Sequence, residues 1–187
     1  MRSTQSPRRA RRVAIFGSLR VLACAAVLVA MSIVCGKYLA IRGGEVLRFS
    51  FENLPILFSG ICFGPLVGLA VGVAADLIGC LLVGYAINPI VTLGAAAIGL
   101  CSGIFVRVAK RLPLAWKLAL SVSLSHLLGS VVIKTLGLAA FYSMPIGVLM
   151  LWRLLNYLIV GAIEFLLIWA LLKNRSVRGT LEKMKQR

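Results

Sequence analysis

The chain has 187 residues, 60% of them apolar, with 21 Lys and Arg against five acids and a net charge of +16. That apolar share excludes an ordinary soluble domain. The charge excess does not indicate nucleic-acid binding, because 16 of the 21 cations fall at 2–20, 107–117 and 173–187, short segments flanking apolar runs. Such clustering is what the retention of Lys and Arg on the cytoplasmic side produces. A hydrocarbon core about 30 Å thick takes about 20 apolar residues per helix, and this sequence has room for six such runs. The expected fold is an all-α, multi-pass integral membrane protein of six transmembrane helices with both termini cytoplasmic. It divides into a basic segment at 1–19, a membrane domain at 20–172 and a basic tail at 173–187.

The basic start, Met1 to Arg12, leads into an apolar run from Val21 to Ile41 that is about spanning length, so it reads as a retained first helix rather than a cleaved signal. That helix is expected at about 20–41 and carries Ala23, Ala26 and Ala30. Ala26 and Ala30 form a small-x-x-x-small pair that lets another helix approach closely in lipid, although alanine is common in any membrane helix. Gly36 to Ser50 is polar and glycine-containing and reads as an outer loop.

The second helix is expected at about 53–63, short for a span unless it begins near Leu47, with Asn53 as its cap and Pro55 in its first turn. Phe63-Gly64-Pro65 makes a cytoplasmic turn into a third helix at about 65–83. Gly64, Gly68 and Gly72 lie at four-residue spacing down one face of it, and that face should lie against another helix. Asn88-Pro89 caps a fourth helix at about 89–106, with Ala95, Gly99 and Gly103 as its small stripe. The fifth helix is expected at about 114–141 and the sixth at about 146–172, followed by a polar tail. Helices two, four and six all start on the outer side near Pro55, Pro89 and Pro145. Their positive dipole ends would there favour an anion.

A charge within the membrane costs about 2.5–3.5 kcal/mol on insertion scales, so each needs a reason. Asp76, Lys134 and Arg153 each lie about seven residues from an outer helix end, which places them in one layer roughly 10 Å deep. Two readings stand: Asp76 pairs with Lys134 or Arg153 and locks the bundle, or the layer forms a polar pocket for a charged ligand. The only histidine, His126, lies deeper and reads as hydrogen-bonded packing; Glu164, in the inner half of helix six, reads as structural or as a partner contact. No phosphate-binding loop, metal-ligand spacing or nucleophile motif occurs, so neither an enzyme nor a metal or other cofactor is expected. The five cysteines all sit in apolar runs and read as small packing residues.

Three segments, Arg48-Phe-Ser-Phe-Glu-Asn-Leu-Pro55, Phe63-Gly-Pro-Leu-Val-Gly68 and Gly72-Val-Ala-Ala-Asp-Leu-Ile-Gly79, occur in that order. With Asn88-Pro-Ile-Val-Thr-Leu93, Lys134-Thr-Leu and Trp152-Arg-Leu-Leu-Asn156, the chain resembles the folate-family S components of energy-coupling-factor (ECF) vitamin transporters. The resemblance implies a prokaryotic plasma-membrane subunit that captures folate from outside and topples to release it inward. It further implies docking onto a membrane coupling subunit driven by two cytoplasmic ATPases, with Ala23, Ala26 and Ala30 as the docking motif. The substrate-binding set expected from these motifs is Arg48, Phe49, Phe51, Asn53, Asp76, Tyr85, Asn88, Thr92, Lys134, Arg153 and Asn156. Within it, Arg153 and Lys134 would receive the glutamyl carboxylates, Asp76 or Asn88 the pterin edge, and Phe49, Phe51 and Tyr85 would stack on rings or close a lid. Loop 36–50 would gate entry. Tyr85-Ala-Ile-Asn-Pro89 and the charge at Lys134 depart from the family pattern, and they bear on the ligand more than on the transporter class. An S component for another water-soluble vitamin or small anion, or a structural membrane protein without substrate, are the other readings.

Overall fold

The computed structural model describes residues 19–43, 47–142 and 145–185, without the side chains of 41–48, 142, 182, 184 and 185. The segment expected at 1–19 therefore lies almost wholly outside the described residues.

Helix α1 (Leu19–Ile33) runs on into a π-helical stretch (Val34–Tyr38), and two short strands, β1 (Ile41–Gly43) and β2 (Leu47–Phe49), pair antiparallel with Arg42 opposite Arg48. The expected loop at 36–50 is thus a helix end followed by a hairpin. Helices α2 (Asn53–Phe63), α3 (Pro65–Val83) and α4 (Pro89–Val108) follow. Next come α5 (Leu114–Ser125), a second π-helical stretch (His126–Ile133) and α6 (Lys134–Tyr142), which together form one apolar run from Leu114 to Phe141. The last elements are α7 (Ile146–Lys173) and α8 (Arg175–Lys185). Five apolar runs are long enough to cross a bilayer, and α2 is the shorter sixth member. Its 11 residues rise about 16 Å, roughly half the hydrocarbon thickness. It does not begin earlier, because 47–49 is committed to the hairpin.

Turn chemistry explains the boundaries. Gly64 takes φ +109°, a region that favours glycine, and Pro65 opens α3. Gly84 ends α3 in the left-handed conformation, with Tyr85 N–H donating to the Cys80 carbonyl. Asn88 caps α4 as expected: its Oδ1 accepts from the N–H groups of Ile90 (3.0 Å) and Val91 (3.3 Å). Asn53 is not a cap. Glu52 occupies the boundary with helical backbone angles, no side chain caps α2, and Asn53 is wholly buried instead.

Helix α4 is the centre of the bundle, packed on α2, α3, α5, the second π stretch and α6. The glycine stripes meet there. A Cβ on Gly68 would overlap the Gly99 carbonyl, one on Gly72 the Ala95 carbonyl, and one on Gly103 the backbone of Pro65. The expected small-residue contact is therefore a backbone-to-backbone approach, which in lipid replaces the hydrophobic drive available in water. Ser102 Oγ donates within α4 to the Gly99 carbonyl at 2.9 Å and lies 3.3 Å from the Leu57 carbonyl of α2, and Ser121 Oγ ties α5 to α4 by donating to the Ser102 carbonyl at 2.8 Å. The apolar core, including Leu57, Val71, Leu118, Val122 and Ile168, fills the half of the bundle toward the basic clusters. The other half holds Ser32, Asn53, Asn88, Ser130, Lys134 and Thr135, all buried. Leu81, Leu82, Leu158, Ile159 and many other large apolar side chains are exposed on the outside of the spans, as a lipid-facing surface requires.

Within the basic tail expected beyond Lys173, the chain forms the strongly amphipathic α8, whose Leu181 is buried.

Candidate functional site

Three glycines make room for three long charged side chains in the outer half. A Cβ on Gly94 would collide with the Lys134 stem, one on Gly36 with Glu52, and one on Gly79 would crowd Lys37. The cluster they shape lines a cavity of about 20 Å³ together with Ser32, Ile56, Ala75, Asp76 and Ala95. Lys134 is almost completely buried, and its Nζ donates to Glu52 Oε1 at 3.2 Å and to Asn53 Oδ1 at 3.4 Å. Ser32 Oγ holds the Glu52 carbonyl at 2.6 Å, so the start of α2 is tied to α1. Across the cavity, Thr92 Oγ1 donates to Asp76 Oδ2 at 2.6 Å and thereby joins α4 to α3. Lys37 faces outward from the same cavity, its Nζ 5.3 Å from the centre of the Tyr85 ring.

This cluster answers several of the sequence expectations. Asp76 and Lys134 do share one layer, but Lys134 pairs with Glu52 and not with Asp76. Arg153 does not line the cavity; its Nη1 donates to the Ser130 carbonyl at 2.9 Å. That carbonyl lies in the second π stretch, where Lys134 N–H reaches back to Gly129 O and the wider turn offers backbone acceptors to side chains. Asn88 caps α4 through Oδ1 and donates from Nδ2 to the Gly137 carbonyl at 2.8 Å. It holds α4 to α6 and does not line the cavity. Phe49 and Phe51 are half-buried and Tyr85 is exposed, and none of the three lines the cavity. Asn156 is half-buried on α7, and the Arg48 side chain lies outside the described residues.

Lys37 and Glu52 were absent from the expected set. The signal for Glu52 was present, since it is one of five acids in the chain and stands next to Asn53-Leu-Pro55. Lys37 was read as part of a loop, whereas it belongs to the π-helical end of α1 and lines the cavity.

A second buried charged group lies deeper. His126 Nε2 and Glu164 Oε2 are 2.5 Å apart, His126 Nδ1 is 3.3 Å from Ser130 Oγ, and the imidazole stacks on Tyr157 with ring centroids 4.8 Å apart. His126 is hydrogen-bonded packing, as its sequence position indicated, and Glu164 is its partner across the α5–α7 interface.

On α1, Ala23, Ala26 and Ala30 are all exposed on the bundle surface. Ala23 borders an apolar groove shared with Val177, Thr180 and Leu181 of α8, which Ala26 and Ala30 do not line.

A cavity of about 20 Å³ holds about one water, whereas ligand sites for small molecules measure about 300–1,000 Å³. The outer cluster as it stands is too small to enclose a vitamin-sized ligand, and the Lys134–Glu52 pair lies in its wall.

A family model described as "ECF transporter, substrate-specific component" matches residues 20–172. No curated protein gives a significant sequence match. Among solved structures, "Crystal structure of FolT bound with folic acid" is similar in fold, with a TM-score of 0.66 and 24% identity, covering 81% of this chain and 93% of that one. The substrate-specific components of these transporters are multi-pass membrane subunits that bind a substrate and are not enzymes. The match over most of the length, on this six-helix architecture, shows that the chain belongs to the ECF transporter substrate-specific component family.

Proposed function

We propose that this substrate-capture subunit binds folate or a folate-like vitamin from the outer side and delivers it inward with a coupling subunit and two cytoplasmic ATPases. The observation that carries the reading is the Lys134–Glu52 pair beside Asp76–Thr92, at the outer ends of α2, α3, α4 and α6. In that layer the protein holds an internal carboxylate against a buried ammonium. A ligand carboxylate can replace Glu52 without leaving either charge bare, which avoids the several kcal/mol of an uncompensated buried ion. Asp76, with one oxygen on Thr92, is suited to accept N–H groups from the amino-pyrimidine edge of a pterin. Lys37 over Tyr85 forms the rim. Arg153 supports the π-helical wall through Ser130 rather than meeting the ligand first, and Asn88 positions α4. The likeness in fold to FolT supports the folate class.

The exposed Ala23, Ala26 and Ala30 are the surface for a closely packed helix of the coupling subunit. Radiolabelled folate uptake in cells co-expressing the chain with coupling and ATPase subunits, with and without Lys134→Gln, tests the proposal. Uptake that is saturable and lost in the variant supports it. Tight binding of a different vitamin, with no folate binding by the purified protein, replaces folate with that compound and leaves the transporter class intact.

A further inference from the structure

A cavity of about 950 Å³ lies at the opposite end of the molecule and opens where α2, α4 and α7 end, beside the start of α5 and α8. Four cations line it from separate parts of the chain: Arg107 at the end of α4, Lys110 in the following turn, Lys117 on α5 and Arg178 on α8. No acidic residue occurs among its described lining. Between the cations the walls are apolar, with Ile61, Leu118, Leu172 and Leu181.

Retention of cations on the cytoplasmic side explains why Lys and Arg lie at this end. It does not explain why four of them surround one concavity while Arg111, Arg175 and Lys183, on the same face, do not line it. Arg107, Lys110 and Lys117, converging on one concavity with Arg178 beside them, call for a multivalent or phosphate-bearing anion. The alternation of cation and leucine, at the level where the spans end, matches a ligand that is anionic at its head and apolar below. One wall is α8, an amphipathic helix joined to α7 by Asn174 alone and seated through the buried Leu181, the kind of helix that suits a membrane boundary.

We infer that this cavity is a binding site for the headgroup of an anionic phospholipid of the inner leaflet. The phosphate lies among Lys110, Lys117 and Arg178, Arg107 closes the α2–α3 side against Gly64, and the acyl chains descend along the leucine walls. The bound lipid ties α8 to the ends of α4, α5 and α7. This inference is independent of which vitamin the outer site takes.

The test is native mass spectrometry and thermal unfolding of the full chain in detergent, titrated with phosphatidylglycerol, phosphatidylcholine or glycerol 1-phosphate. Two variants of equal charge are compared: Lys110→Gln/Lys117→Gln/Arg178→Gln in the cavity and Arg111→Gln/Arg175→Gln/Lys183→Gln outside it. The expected result is one retained phosphatidylglycerol and a raised Tm in the parent protein and the outside variant. At about fivefold affinity per cation, retention in the cavity variant falls roughly a hundredfold. If that variant does not yield monodisperse protein, Lys110→Gln alone should fall about fivefold on the same basis. Equal losses in both triple variants would reduce the site to diffuse surface charge and overturn the inference. So would full competition by glycerol 1-phosphate, which identifies a soluble phosphate ligand. A cavity variant that keeps its lipid but no longer co-purifies with the coupling subunit overturns it as well, since the cations then serve a protein contact.

Discussion

Replacing Glu52 by Gln removes the charge that faces Lys134 and leaves a carbonyl in nearly the same place. At 3.2 Å and an effective dielectric of about 20, the Coulomb attraction is about 5 kcal/mol before desolvation is counted. One-sided removal from a buried pair costs about 3–5 kcal/mol. The lower end applies here, because Glu52 is 24% exposed and Asn53 still accepts from Lys134 at 3.4 Å. Glu52→Gln should therefore lower stability by about 3 kcal/mol, and Lys134→Gln by about 2 kcal/mol, since it strands a partly hydrated carboxylate rather than a buried ammonium. The double variant restores neutrality and should lose only about 3 kcal/mol, a coupling of about 2 kcal/mol. Denaturant unfolding in detergent, read as a double-mutant cycle, gives these values. Ligand binding separates the two single variants further. Glu52→Gln leaves Lys134 in place and unopposed, so folate affinity relative to the folded fraction should rise, whereas Lys134→Gln should abolish it. Additive stability changes would show that the pair is not coupled. Equal loss of binding in both variants would refute the exchange of Glu52 for a ligand carboxylate.

The glycine contact between α3 and α4 should be less tolerant than any apolar core position. Gly68→Val forces the Gly99 backbone away and should prevent monodisperse folding, seen by size-exclusion chromatography of the detergent extract, while Val67→Ala should cost about 1 kcal/mol or a little more. Asn88→Ala removes the α4 cap and leaves the Gly137 carbonyl without its donor. A loss of about 2 kcal/mol is expected from a cap worth about 1 kcal/mol and one broken buried hydrogen bond, measured by unfolding. Ala26→Leu/Ala30→Leu enlarges an exposed face, so stability and ligand binding of the isolated subunit should be unchanged. Uptake in cells with the coupling subunit should be lost, and normal uptake would remove this face from the docking surface.

Hydropathy, charge clustering and turn residues determined the fold without help from packing. Spans of about 20 apolar residues are a property of bilayer thickness, Gly64-Pro65 and Asn88-Pro89 act through their own backbone restrictions, and glycines at four-residue spacing have one face by helical geometry. These are local causes, and a linear chain states them fully. The intramembrane charges were also visible, because few occur and each is costly. Their pairing was not visible, for two reasons that only the tertiary structure could decide. The first is helix phase: the π-helical stretches at Val34–Tyr38 and His126–Ile133 widen the turn, so side chains beyond them leave the faces that a uniform 3.6-residue period assigns. Lys37 lies within the first stretch and Lys134 directly follows the second, so the placement of both depended on it. The second is distance along the chain. Lys134 and Glu52 are 82 residues apart, and they meet because Gly94 and Gly36 leave the space for them. Sequence position placed Asp76, Lys134 and Arg153 at one depth, yet azimuth around each helix, set by its packing neighbours, sent Lys134 to Glu52, Asp76 to Thr92 and Arg153 to the Ser130 carbonyl.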